Sequence, residues 1–129
     1  MGIAENKRAA AQLIVALASV DKQAFDAVTR PDTRWWTAGM PGTYTRDEYF
    51  QFSKDASLLL KQPNFNMKMV GITAEGDRVA IEGETHTELQ DGRVYQNKYH
   101  FLLIFEEGRV KEVREYHDTQ HALQTFQPG

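Results

Sequence analysis

The apolar positions of this chain change period near residue 65, from a spacing that suits helices to one that suits strands. Over roughly residues 4–19, Ala10, Leu13, Ile14 and Leu17 recur on one helical face. Asp21 is placed to cap a second, short helix through Val28, with Ala24, Phe25 and Val28 as its buried side. Pro31 then breaks the helical pattern, because it has no N–H to give a helix or a central ladder. The aromatic run "RWWTAG" reads as a short strand at about 34–38, and "GMPGTY" as a turn. Thr45 and Glu48 have capping-box spacing and open a third helix. Tyr49, Phe52, Ala56, Leu59 and Leu60 follow one of its faces until Pro63.

From residue 65 onward four alternating runs are separated by "AEGD", "QDGR" and "EEGR", each a glycine preceded by an acidic residue, as hairpins require. The segment "DTQHALQTF" then reads as a short amphipathic helix capped by Asp118 or Thr119. The order is ααβα, a four-strand antiparallel meander and a terminal helix, in one domain over 1–129. This is an α+β class, with helices on one face of a curved antiparallel sheet. Such a cone has a concave side that is either filled or open as a pocket.

The last hairpin predicts which side chains share that side. A three-residue loop, Glu106-Glu107-Gly108, would pair Phe105 with Arg109. Counting back puts Phe101 opposite Val113, Tyr99 opposite Glu115 and Asn97 opposite His117, all facing inward. His100, Leu102, Ile104, Val110, Arg114, Tyr116 and Asp118 would then face outward. That second set has an apolar middle, so a homodimer through the outer face of the sheet is expected.

Composition narrows the partners. The net charge is −3 with both signs interspersed, so no basic block exists to neutralise phosphates and nucleic acid is not expected as a partner. No apolar run approaches the ~20 residues needed to cross a bilayer, so no membrane is expected either. "MGIAENKRAA" has no apolar signal core, and Asn6 stands where a myristoylation site wants Ser or Thr. The absence of cysteine removes disulfides and thiolate metal ligands and suits a cytoplasmic location.

Several side chains carry chemistry, each with a plainer structural reading. Glu115, in an apolar cavity, would serve as a general acid or base, or else make a structural hydrogen bond. His117 would lie beside it and shuttle a proton, or cap the strand end. Asn97 and Tyr99 would orient a carbonyl or satisfy Glu115. One indole of Trp35–Trp36 should reach the cavity; Trp36, Phe101 and Val113 are taken as its wall, with Tyr49 and Phe52 adding aromatic surface that packs as core first. Glu82, Glu84, His86 and Glu88 share one face of the middle strand, but without metal-ligand spacing they read as a solvated face, and no metal is expected.

The stretch "GRVYQNKYHFLLIFEEGRVKEVREYHD" resembles the C-terminal half of SnoaL-like proteins in the nuclear transport factor 2-like superfamily, including the phenazine-biosynthesis A/B proteins. The shared pattern comprises Tyr95, Asn97, Tyr99, Phe105, Gly108, Val110, Arg114, Glu115, Tyr116 and Asp118, and "RWWTAGMPGTYTRDEY" is similar to the family's first strand and loop. The resemblance implies the cone fold and points at Glu115 as an acid–base group. Where ketosteroid isomerases place two acidic pocket residues, this chain offers Trp36 and Phe101. Where limonene-epoxide hydrolases use an Arg-x-Asp pair, it has "EGETH". The expected activity is a cofactor-independent isomerase, cyclase or dehydratase acting on a small hydrophobic ligand that bears a carbonyl. A non-catalytic hydrophobic-ligand binder and an epoxide-type hydrolase are the alternatives.

Overall fold

The computed structural model describes residues 2–126. Helix α1 (Ile3–Ala18) packs its Ala10, Leu13, Ile14 and Leu17 stripe into the core. Asp21 accepts from the Ala24 N–H at 3.1 Å and starts α2 (Lys22–Val28), which buries Phe25 and Val28. Strand β1 (Thr29–Thr37) begins five residues earlier than the sequence pattern predicts. Pro31 is accommodated because the β1 register jumps between Thr29 and Arg34, leaving it outside the ladder. The Thr33 hydroxyl stitches this bulge, accepting from the Arg30 N–H and donating to the Val110 carbonyl.

The two-residue strand β2 (Tyr44–Thr45) leads into α3 (Arg46–Ser57), which opens on the expected Thr45–Glu48 capping box. The helix stops at Ser57, short of Pro63: the Leu58, Leu59 and Leu60 N–H groups close its last carbonyls, Asp55, Ala56 and Ser57, in a tighter turn, and Gln90 then binds the Leu58 and Leu59 carbonyls that follow. Strands β3 (Lys68–Glu75), β4 (Arg78–Glu88), β5 (Val94–Glu106) and β6 (Arg109–His117) form the meander. Helix α4 (Thr119–Phe126) comes last, capped by Asp118, whose carboxylate accepts from the His121 N–H.

The strands lie in the order β2-β1-β6-β5-β4-β3. The meander is antiparallel as predicted, but β1 runs parallel to β6, so the sheet is mixed. The inner face meets α1, α2 and α3 in one core containing Trp35, Phe25, Phe101 and Leu103.

The β5–β6 hairpin differs from expectation in two ways that offset each other. The turn has two residues, Glu107 and Gly108, with φ of 51° and 82°, and therefore pairs Glu106 with Arg109. That alone would turn every β6 side chain over. A bulge at Lys111 then adds one residue to β6, so Leu103 faces Val113 and Phe101 faces Glu115. Val113, Glu115 and His117 therefore do point inward, each opposite a residue two positions along β5 from its predicted partner. Beside the turn the prediction fails: Val110 is buried and Arg109 exposed, the reverse of the expected arrangement.

Candidate active site

The concave side holds an open cavity of about 300 Å³. Its wall is drawn from every layer: Ile14 and Leu17 from α1, Tyr49 and Phe52 from α3, Tyr95, Tyr99 and Phe101 from β5, Glu115 and His117 from β6, and Leu123 and Phe126 from α4. Phe52, Leu59 and Leu123 are also exposed to solvent, which places the mouth between α3 and α4. Among the described residues the charged or titratable wall groups, apart from tyrosines, are Glu115, Asp55 and His117; no lysine or arginine lines the cavity.

Glu115 sits at the floor, only 2% exposed. Strand pairing puts it between Thr37 of β1 and Phe101 of β5. Its Oε1 accepts two hydrogen bonds, from the Trp35 indole N–H at 2.9 Å and from the Tyr49 hydroxyl. The Trp35 and Tyr49 rings stack with centroids 3.9 Å apart, which fixes both donors. Oε2 lies 2.8 Å from Nδ1 of His117. That nitrogen makes no hydrogen bond of regular angle, so the contact is close but imperfectly aimed. The carboxylate is thus held by two neutral donors and an imidazole, with no guanidinium or ammonium on it.

Burial first, and then the Glu115 carboxylate, push the Tyr49 hydroxyl well above its ordinary range, so it stays a neutral donor. Burial likewise raises Tyr99, with Tyr95 and Glu115 adding to it. Tyr95 is pushed up to about 12, chiefly by burial.

The predicted residues separate by where the structure puts them. Glu115, His117, Tyr99, Phe101, Tyr49 and Phe52 all line the cavity. Trp36 does not. It lies on the outer face against Tyr116, with ring centroids 5.5 Å apart, and Trp35 takes the inward position. The strand starts at Thr29 and is bulged, so counting from a start near 34 could not decide the parity. Val113 is fully buried in the core beside Trp35, its β1 partner, and is not on the cavity wall. Asn97 also leaves the wall. Since β6 ends opposite Tyr99, Asn97 meets the first backbone of the α4 segment, bonding both the N–H and the C=O of Asp118.

Tyr95, named above in the pattern shared with SnoaL-like proteins but given no role there, is also a site residue. It shares the inward parity of Asn97 and Tyr99, and its hydroxyl lies 2.5 Å from that of Tyr99. Thr85, Met40 and Met67 also line the cavity, with no motif to mark them beforehand. The Glu82, Glu84, His86 and Glu88 row is solvent-exposed. Among the described residues no three histidine or carboxylate side chains converge to hold a metal ion.

Comparison with known proteins agrees with this architecture. A candidate SnoaL-like polyketide cyclase from Jannaschia sp. CCS1 superposes with a TM-score of 0.83 at 14% identity, covering 98% of this chain and 94% of that one. An NTF2-like protein from Burkholderia pseudomallei K96243 gives 0.80 at 20% identity, with 98% and 99% covered. An LEH-like epoxide hydrolase of M. tuberculosis gives 0.76 at 19%, with 98% and 92% covered. At these identities the likeness is one of fold. No curated protein is significantly similar in sequence. The model of the SnoaL-like domain matches residues 10–113, most of the chain, stopping just before Glu115 and His117, and the protein belongs to that family.

Proposed function

We propose that this protein is a cofactor-independent acid–base catalyst that isomerises, cyclises or dehydrates a small, apolar, carbonyl-bearing metabolite. One observation carries the reading: a carboxylate with no cationic side chain on it stands beside an imidazole at the floor of an open apolar cavity. Trp35 and Tyr49 occupy Oε1 and lock the carboxylate in place, leaving Oε2 to His117. Glu115 and His117 then act as one acid–base pair. The pair removes a proton from the carbon beside a carbonyl, the C–H electrons pass into the enolate, and the proton is returned at another position. A correctly placed acid–base group of this kind is worth about 10²–10⁴-fold in rate.

Deuterium exchange tests the reading without the natural substrate. In deuterium oxide the protein should speed the loss of the α-proton resonance of α-tetralone, and Glu115→Gln and His117→Ala should bring the rate down towards that of buffer. Failure of the unaltered protein to exceed buffer favours the rival, a ligand binder that uses the same apolar wall. An epoxide-type hydrolase is supported less well, because Asp55 is the only other carboxylate on the described wall and no arginine joins it.

The reading includes a homodimer through the outer face, where Trp36, Leu102, Ile104 and Tyr116 interrupt the charged rows with partly exposed apolar surface. Sedimentation velocity tests that part. No helix among the described residues is long and apolar enough to cross a membrane.

A further inference from the structure

Hydrogen-bond accounting at the β5 end of the cavity leaves one donor over. Asn97 Oδ1 accepts from the backbone N–H groups of Lys98 at 2.8 Å and Asp118 at 3.1 Å. Two donors on that atom fix the orientation of the amide, because a flipped NH₂ would face both of them. Nδ2 therefore donates, to the Asp118 carbonyl at 2.9 Å and to the Tyr95 hydroxyl oxygen at 2.8 Å. Tyr95 and Tyr99 place their hydroxyl oxygens 2.5 Å apart, with room for one hydrogen between them. The two phenols carry two hydrogens, so one O–H is without an acceptor among the described residues.

Direction comes from the neighbours. Tyr95 Oη already receives a hydrogen from Asn97, and Tyr95 is 1% exposed. Passing its own hydrogen on to Tyr99 lets each oxygen accept one bond and give one, the arrangement in which successive bonds reinforce each other. The free O–H then belongs to Tyr99, which is on the cavity wall. A hydroxyl held against an apolar wall without an acceptor is unfavourable, and Tyr99 is partly buried there, so the ligand that completes this site supplies the acceptor. Burial keeps both phenols protonated at neutral pH.

We infer that the ligand brings an uncharged oxygen acceptor, a ketone or ester carbonyl, to the Tyr99 hydroxyl, and that Tyr95 and Asn97 are positioning residues that aim that hydroxyl. The charge of the wall excludes an anion there: Glu115 and Asp55 are its carboxylates, and no lysine or arginine offsets them. The His117 ring lies 4.8 Å from the Tyr99 ring, so a carbonyl held by Tyr99 presents its α-carbon to the acid–base pair. This names a substrate class for the reading above and rests on the same cavity being the binding site.

Equilibrium binding provides the test. Affinities of α-tetralone, of tetralin (which lacks the oxygen) and of 1-naphthoate are measured by calorimetry on the intact protein. The tetralone-to-tetralin ratio should fall about tenfold in Tyr99→Phe and about threefold in Tyr95→Phe, the range of one buried neutral hydrogen bond. The naphthoate should bind at least tenfold more weakly than the ketone. In the unaltered protein, the carbonyl stretch of bound tetralone should lie below its position in an apolar solvent, a readout that needs no variant to fold. An unchanged ratio in Tyr99→Phe, an unshifted carbonyl stretch, naphthoate binding as tight as the ketone, or no binding of tetralone each overturns the inference. These measurements need no turnover, so they can fail while proton exchange persists, and exchange can fail while they succeed.

Discussion

Glu112 and Glu115 are three residues apart on β6 and face opposite media. Glu112 looks out from the sheet and pairs with Arg114 at 3.1 Å, where both side chains keep more than a third of their surface in water. Glu115 looks in, is almost fully buried, and is held by an indole, a phenol and an imidazole. Solvent solvates and screens the first carboxylate, so its ion pair contributes little. The second has given up water for directed donors, with no guanidinium or ammonium on it and the His117 imidazole beside it. The difference arises in the backbone: residues three apart on a strand face opposite sides, and the Lys111 bulge sets which side each takes, putting Val113 and Glu115 inward and Glu112 outward. Residue type supplies a carboxylate, and the strand's parity decides whether it becomes a surface charge or part of the cavity floor.

The largest effect should come from exchanging the inner carboxylate for its amide. Glu115→Gln keeps the shape and an acceptor for Trp35 and Tyr49, but cannot take a proton. Proton exchange into bound ketone should fall by about 10²–10⁴-fold, with ligand affinity close to unchanged. If Glu115→Gln exchanges at the original rate, the inner carboxylate is no more chemical than the outer one, and the comparison fails.

The two neighbouring tryptophans allow the same contrast in stability. Trp35 is fully buried and donates to Glu115, whereas Trp36 packs edge-on against Tyr116 on the outer face. Trp35→Ala should cost about 3–5 kcal/mol in denaturant unfolding, from lost burial and the cavity left behind. Trp36→Ala should cost about 1 kcal/mol or less in the folded monomer. Equal costs would mean that the two faces are not energetically distinct.

Alkaline titration sharpens the inner side further. Tyr49, Tyr95 and Tyr99 all hold their protons more tightly folded than unfolded. The stability this gives is fully present below the unfolded tyrosine value of 10.0 and is lost as pH rises through the folded values, about 12 for Tyr95. Urea unfolding measured across that window should show a steep decline. Tyr95→Phe should remove roughly 2–3 kcal/mol of the dependence, and a curve unchanged by that substitution would mean Tyr95 is not buried as a phenol.

Much of this division was legible in the chain itself. Period-two alternation and the three acidic-Gly turns were enough to place β3 to β6, and the Thr45–Glu48 pair placed the start of α3 to the residue. Glu115, His117 and Tyr99 were assigned inward through a register that was wrong by one step at the turn and by one at the bulge, two odd errors that restore the parity. Nothing local announces a bulge at Lys111; it stands where the β1–β6 register also shifts, so both pairings of β6 change there. The same reason defeated Trp36: β1 runs parallel to a strand from the far end of the chain, and its parity is set there rather than by its own alternation. Asn97 stands off the wall because its partner, the Asp118 backbone, comes into reach only once β6 ends. Tyr95 had the right parity all along, and only the distance between two hydroxyls shows what it does.

The smallest expected effect is also the control for all the others. Glu112→Gln removes a charge and an ion pair from the outer face of the same strand, close to Glu115 in sequence and separated from it by the sheet. An exposed pair of this kind is worth about 0.5 kcal/mol or less, and its loss should be smaller still at high salt, where screening has already weakened it. Proton exchange and tetralone binding should stay within about twofold of the unaltered protein, since a change on the solvated face leaves the inner site's contacts intact. If the dimer uses the outer face, the substitution should appear in sedimentation rather than in exchange, because Arg114 would then lose its partner at an interface. A drop in exchange rate as large as that of Glu115→Gln would show that the two faces communicate through β6, and the inner carboxylate could no longer be treated as an isolated site.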